Sequence, residues 1–112
     1  MGLIENLERM LLKGQDSALL SFSLGHASFN ESRPQTAVEH LRLALDHDPK
    51  DSAARKLLGQ ALAEAKRLAD SIDAFDHGIQ VAEVKGDKQA AKEMRVFRRR
   101  VQNRLSEDDA PG

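Results

Sequence analysis

The sequence predicts an all-α fold, an antiparallel stack of helical hairpins, and three observations lead there. The segment around Leu58-Gly59 repeats the one around Leu24-Gly25 at an offset of 34 residues. At that same offset Val38 returns as Ile72, Glu39 as Asp73, Leu41 as Phe75, Ala44 as Gly78 and Leu45 as Ile79. A period between about 20 and 50 residues marks stacked units, each too small to bury its own apolar face. Within each unit the apolar residues recur three and four apart, the spacing of one helix face. Proline, glycine and aspartate punctuate the intervals, at Gly14, Pro34, Asp48-Pro49 and Gly86-Asp87.

Taken in order, residues 3–13 carry Leu3, Leu7, Met10 and Leu11 on one side of a short helix. It is too short to be stable alone and is expected as a lid over the first repeat. Gly14 suits the left-handed position that ends a helix, and Asp16 is placed to cap the next. The first repeat spans 17–50. Its first helix, 17–30, turns Leu20, Leu24 and Ala27 inward. Ser32 followed by Gln35 reads as a capping box, with Pro34 harmless in a first turn whose amides lack partners. The second helix runs to about His47 and buries Ala37, Val38, Leu41, Ala44 and Leu45, and Pro49 cannot continue it.

The second repeat, 51–85, has the same scheme. Leu57, Leu58, Ala61, Leu62 and Ala65 face in from one helix, and Leu68, Ile72, Phe75, Ile79 and Ala82 from the other. The short turn at Lys66-Arg67 makes the two antiparallel neighbours. No proline answers Pro49 at Glu83, so this helix continues to Lys85 and ends at Gly86, with Asp87 capping the next helix. That last helix, over 87–105, presents Ala90, Met94, Phe97, Val101 and Leu105, and closes a single domain of residues 1–105. The acidic segment 106–112 has little to bury and is expected to be disordered.

Composition narrows the classes. The 112 residues contain no cysteine, which excludes disulfides and thiolate metal sites and fits a reducing, cytoplasmic setting. No apolar run reaches the roughly 20 residues that span a bilayer, and the start lacks a signal peptide's layout. Met1-Gly2 opens as a myristoylation signal does, but Asn6 stands where a Ser or Thr is required. The four histidines, His26, His40, His47 and His77, lack the pairing about four apart that holds a metal on a helix. No nucleophile–base pattern or Gly-rich phosphate loop is present. The sequence therefore points to neither an enzyme nor a cofactor binder.

These residues resemble the tetratricopeptide repeat family, whose signature joins Leu-Gly to a downstream Ala, an aromatic residue and a Pro. The first unit shows Leu24-Gly25, Ala37, Leu41, Ala44 and Pro49, and the second Leu58-Gly59, Phe75 and Gly78, with Ser71 in place of the small Ala. The pattern's Trp is replaced by Ser21 and Arg55, and its Tyr by Ser28 and Leu62. The likeness covers residues 17–84. It implies a right-handed superhelix with flanking end helices, and a non-catalytic adaptor that holds a peptide or partner protein in a concave groove lined by the first helix of each repeat.

The repeat also selects the residues that would line this groove. Leu19, Phe22, His26 and Phe29 form a second apolar stripe opposite Leu20, Leu24 and Ala27. If only one face of a two-helix repeat enters the core, this stripe needs another partner. That partner is a bound peptide, the N-terminal helix, or another copy of the chain in a homo-oligomer. At the repeat offset the stripe becomes Ala53, Lys56, Gln60 and Ala63, so the partner-binding set is Leu19, Phe22, His26, Phe29, Lys56 and Gln60. The subfamily that grips acidic chaperone tails uses Lys and Asn on these helices. Lys56 fits it, while His26 and Gln60 stand where Asn is wanted. A different surface is offered by the last helix, where Lys88, Lys92, Arg95, Arg98, Arg99, Arg100 and Arg104 stand against Glu93 alone. Arg95, Arg98 and Arg99 could bind an anion or nucleic acid. A solvated outer face explains the same charges, and the absence of stacking aromatics argues against nucleic acid.

Overall fold

The structure, a computed structural model, describes residues 2–14 and 17–108. Among them six helices succeed one another: α1 (Leu3–Leu12), α2 (Ala18–Asn30), α3 (Pro34–His47), α4 (Ser52–Glu64), α5 (Leu68–Lys85) and α6 (Lys88–Asp108). Each packs on the next; α1 touches α2 alone, and α4 also reaches α2 and α6. The Cα extents of 49 × 36 × 17 Å describe a slab whose thin dimension is about two helix layers. One layer holds α2, α4 and α6. The other holds α3 and α5.

Three apolar clusters run through the slab. Ile4 with Leu20, Leu24 and Ala27 joins α1 to α2. Val38, Leu41, Leu45, Leu58 and Leu62 join α3 to α4. Ile72, Phe75, Ala82, Met94 and Val101 join α5 to α6. The small residues of the repeat make the close approaches. A Cβ on Gly25 would lie 2.6 Å from Cγ of Leu41, and one on Gly59 would lie 2.6 Å from Cδ1 and Cζ of Phe75. These two contacts are the same contact one repeat apart. Ser71, standing where the first repeat has Ala37, is buried and donates to the Gly59 carbonyl at 2.7 Å.

Hydrogen bonds at the helix ends recur from one unit to the next. The N-caps of the first-layer helices are Ser17, Asp51 and Asp87, whose side chains accept from the amides of Leu20, Ala54 and Ala90 at 3.0, 3.0 and 3.1 Å. Ser17 caps α2; the expected cap Asp16 lies outside the described residues. Ser32 is not the capping-box residue of α3. It takes φ 60°, and the amides of Ser32 and Arg33 bond back to Phe29 and Ser28, closing α2 from its C-terminal side. Lys66, 34 residues on, repeats this with φ 64°, and the amides of Lys66 and Arg67 bond back to Ala63 and Leu62. Gly86 closes α5 in the same way at φ 80°.

Two expectations about the ends change. On α1 the buried residue is Ile4, with Leu7 and Leu11 half-buried beside it, whereas Leu3 and Met10 are 61% and 42% exposed. The inward stripe is therefore 4–7–11, one residue out of phase with the stripe expected from Leu3 and Met10. At the other end α6 carries on through Ser106 and Glu107 to Asp108, past the expected end at Leu105.

Candidate functional site

Counting from the three N-caps aligns the first-layer helices residue by residue. Ser17 to Asp51 is 34 residues and Asp51 to Asp87 is 36, because α5 is longer than α3. The second position after each cap is Leu19, Ala53 and Gln89, and all three are exposed. The ninth is His26, Gln60 and Val96, of which Gln60 is half-buried and the others exposed. The thirteenth is Asn30, Glu64 and Arg100, again exposed. On an α-helix positions 2, 9 and 13 share one face. The layer therefore presents one open surface made of equivalent residues from three helices. Leu19, 76% exposed, and Val96, 42% exposed, are its apolar ends.

The expected apolar stripe of α2 divides between this surface and the core. Leu19 and His26 face out. Phe22 and Phe29 are half-buried and pack against the α3–α4 cluster. The premise that only one face of such a helix enters the core does not hold here, since α2 has a neighbour on each side: α1 against Leu20, Leu24 and Ala27, and the α3–α4 cluster against the two phenylalanines. The N-terminal helix therefore covers Leu20, Leu24 and Ala27, not the stripe. His26 keeps an edge of it polar, with its ring centroid 6.1 Å from that of Phe22 and its Nδ1 3.3 Å from Nδ2 of Asn30.

On α4 the equivalent positions behave alike. Ala63, at the position of Phe29, is buried in the cluster with α5 and α6. Lys56, at the position of Phe22, reaches α6 and donates to Oε2 of Glu93 at 2.6 Å. Oε1 of Glu93 accepts from Nε2 of Gln89 at 2.9 Å. The Lys56 hydrogen bond, then the Gln89 amide and the Lys56 charge, hold the Glu93 carboxyl below the usual carboxylate range. On α6 the same two positions carry Lys92 and Arg99, both exposed. On α6 both positions are thus charged, where α2 has Phe22 and Phe29.

The basic helix is largely answered from within. Arg95 pairs with Glu83, and Arg98 Nε with Asp76 Oδ1 at 2.5 Å, both carboxylates on α5. Arg100 lies over the Phe97 ring at 5.5 Å. Of the trio Arg95, Arg98 and Arg99, only Arg99 shows no ion pair among the described residues. Arg95 also occupies the eighth position after its cap, where α2 and α4 have Gly25 and Gly59. A further second-layer helix would have to approach there, and a paired arginine replaces the glycine that admits it.

Val96 was missed because the 34-residue offset was not extended into α6. The signal was present in the missing proline near Glu83, which lengthens α5 and shifts the next helix by two residues. A second concavity, of about 530 Å³, lies between α3 and α5 above α4. Leu45, Leu58 and Leu62 line it with Arg42, Asp46, Asp73 and His77. Among the described residues no cluster of His, Asp and Glu is arranged to hold a metal ion, and no helix is long and apolar enough to cross a membrane.

The chain is similar to known proteins. The family model for the tetratricopeptide repeat matches residues 29–83. The TPR repeat-containing protein PA0015 of Pseudomonas aeruginosa is 46% identical over 99 residues, which are 88% of this chain and 94% of that protein. The solution structure of protein BPP2914 from Bordetella parapertussis is similar over 95% of this chain and 92% of its own, with a TM-score of 0.81 and 38% identity.

Proposed function

We propose, because the chain belongs to the tetratricopeptide repeat family, that it is a non-catalytic interaction module which takes a peptide segment of another protein on the open face of α2, α4 and α6. Repeats of this family generally mediate contacts between proteins. The observation that carries the finer reading is the exposure of Leu19 and Val96, at the second and ninth positions of the same face, on the first and last first-layer helices. Two apolar side chains on one face, with hydrogen-bonding groups between them, offer anchor points for the apolar residues of a bound peptide. Between them His26, Asn30, Gln60 and Gln89 supply hydrogen-bonding groups, and Glu64 and Arg100 add one charge of each sign. Phe22 and Phe29 support the surface from beneath, and Lys56 forms part of its wall.

Selection from a random dodecamer peptide library tests this. The native chain is expected to enrich peptides carrying apolar residues. Leu19→Asp and Val96→Asp should each weaken a selected peptide by roughly tenfold or more, the effect of losing one buried aliphatic contact. Selected peptides that bind both variants as tightly as the native chain would place the contact elsewhere. The ion pairs of Arg95 and Arg98 with α5 weigh against an anion site on α6. The burial of Phe22 and Phe29 in the chain's own core weighs against their joining two copies.

A further inference from the structure

We infer that Glu93 sets the charge preference of the proposed groove, occupying Lys56 in place of a partner's carboxylate so that the surface takes uncharged rather than acidic segments. The inference rests on the groove reading above and adds the chemistry of its occupant. Lys56 is the one basic side chain that α4 offers at the groove wall, and its ammonium is held by Glu93 across the α4–α6 junction. Both oxygens of that carboxylate are engaged, Oε2 by Lys56 and Oε1 by Gln89 one turn earlier on α6. Glu93 thus already engages the ammonium that an incoming carboxylate would need.

Competition favours the internal acid. A carboxylate tethered on a neighbouring helix meets Lys56 at an effective concentration in the millimolar range or above, without the entropy cost that a free peptide meets on binding. The position of Glu93 in the sequence adds weight. It is the single acidic residue between Lys88 and Arg104, surrounded by seven basic ones. Lys92, Arg99 and Arg100 are exposed on the same helix, and Arg95 and Arg98 already have carboxylates on α5. Without the Glu93 charge, Lys56 and these exposed cations would form an unopposed positive strip beside the groove. With it, Lys56 is answered and positive charge is confined to the α6 edge, while the α2–α4 stretch offers Leu19, His26, Ala53 and Gln60 beside the exposed Glu64. An uncharged segment with apolar side chains complements that surface, and an acidic one does not.

The charge distribution of peptides selected from the random dodecamer library separates the outcomes. The native chain is expected to enrich peptides of net charge near zero. Glu93→Gln should shift the selection toward acidic peptides, with individual acidic peptides gaining about twofold to fivefold in affinity. Lys56→Gln leaves Glu93 unopposed and should shift it toward basic peptides. The double variant Lys56→Gln/Glu93→Gln should return to the native preference. A thermal melt of each variant verifies folding, and the two single variants shift in opposite directions, so either alone decides the matter. Identical charge distributions for the native chain and a folded single variant would overturn the inference and leave the groove reading standing. An acid-rich selection by the native chain would do the same. Failure of the native chain to enrich any peptide would overturn the groove reading and this inference with it.

Discussion

The two ends of the stack meet the same requirement in opposite ways. Each end of a repeat array leaves an apolar face that no further repeat covers. At the start α1 lies on α2 alone, buries Ile4 and leaves Leu3, Met10 and Leu12 exposed. At the finish α6 packs on both α5 and α4, buries Ala91, Met94 and Val101, and fixes its edges with Arg95–Glu83, Arg98–Asp76 and Lys56–Glu93. The first is an apolar lid, and the second a full structural layer faced with charge. The difference teaches that α6 belongs to the fold as much as either hairpin does, whereas α1 is an addition to it.

Deleting residues 88–112 should produce the largest effect. Met94, Phe97, Val101 and Leu105 would each lose a contribution of roughly 1.5–3 kcal/mol. Together these rival the whole stability of a small domain, about 5–15 kcal/mol. The truncated chain is expected to lose its cooperative thermal transition and to aggregate through Phe75 and Ile79. A soluble product melting like the native chain would put α6 on the same footing as α1.

A matched pair of substitutions sharpens the contrast. Met94→Ala removes a side chain with no exposure that sits in the cluster between α5 and α6 and should cost about 3–5 kcal/mol in denaturant unfolding. Ile4→Ala removes one equally buried, but on a helix with a single neighbour that can fray, and should cost about 2 kcal/mol or less. Equal losses, or a larger one at Ile4, would break the comparison.

How far this was legible in the sequence depends on the residue. Leu24-Gly25 and Leu58-Gly59 disclosed the hairpins because a glycine facing Leu41 or Phe75 is a packing requirement that composition leaves visible. The left-handed turns at Ser32 and Lys66 were hidden, since neither is the glycine or asparagine that advertises such a backbone. Ser32 therefore read as a cap for the following helix when it closes the preceding one. The phase of α1 was hidden for another reason: Leu3, Ile4, Leu7, Met10, Leu11 and Leu12 are apolar over more than one face, and only packing on α2 chooses among them. The place of Leu19, His26 and Gln60 on one helix face was legible from the repeat, but the partnership of Lys56 with Glu93, 37 residues away, has no local signature.

A smaller effect is expected from acid. The folded state holds the Glu93 carboxyl below its unfolded value, so the Lys56–Glu93 pair stabilises the fold above the unfolded carboxylate pKa, about 4.3. That contribution disappears as pH falls through the lower folded value. The melting temperature of the native chain should therefore drop more steeply below about pH 4 than that of Lys56→Gln/Glu93→Gln. Parallel curves would show that the pair adds nothing to holding α6 on α4. At the N-terminal end Ile4→Ala should shift the whole curve without changing its slope in acid.

The most direct test of the account is to map a library-selected peptide onto the amide resonances of the ¹⁵N-labelled chain. Perturbations gathered at Leu19, His26, Ala53, Gln60, Gln89 and Val96, with α3 and the outer face of α5 unmoved, are the predicted result. Perturbations centred instead on Arg42, Asp46, Asp73 and His77, around the concavity between α3 and α5, would contradict it.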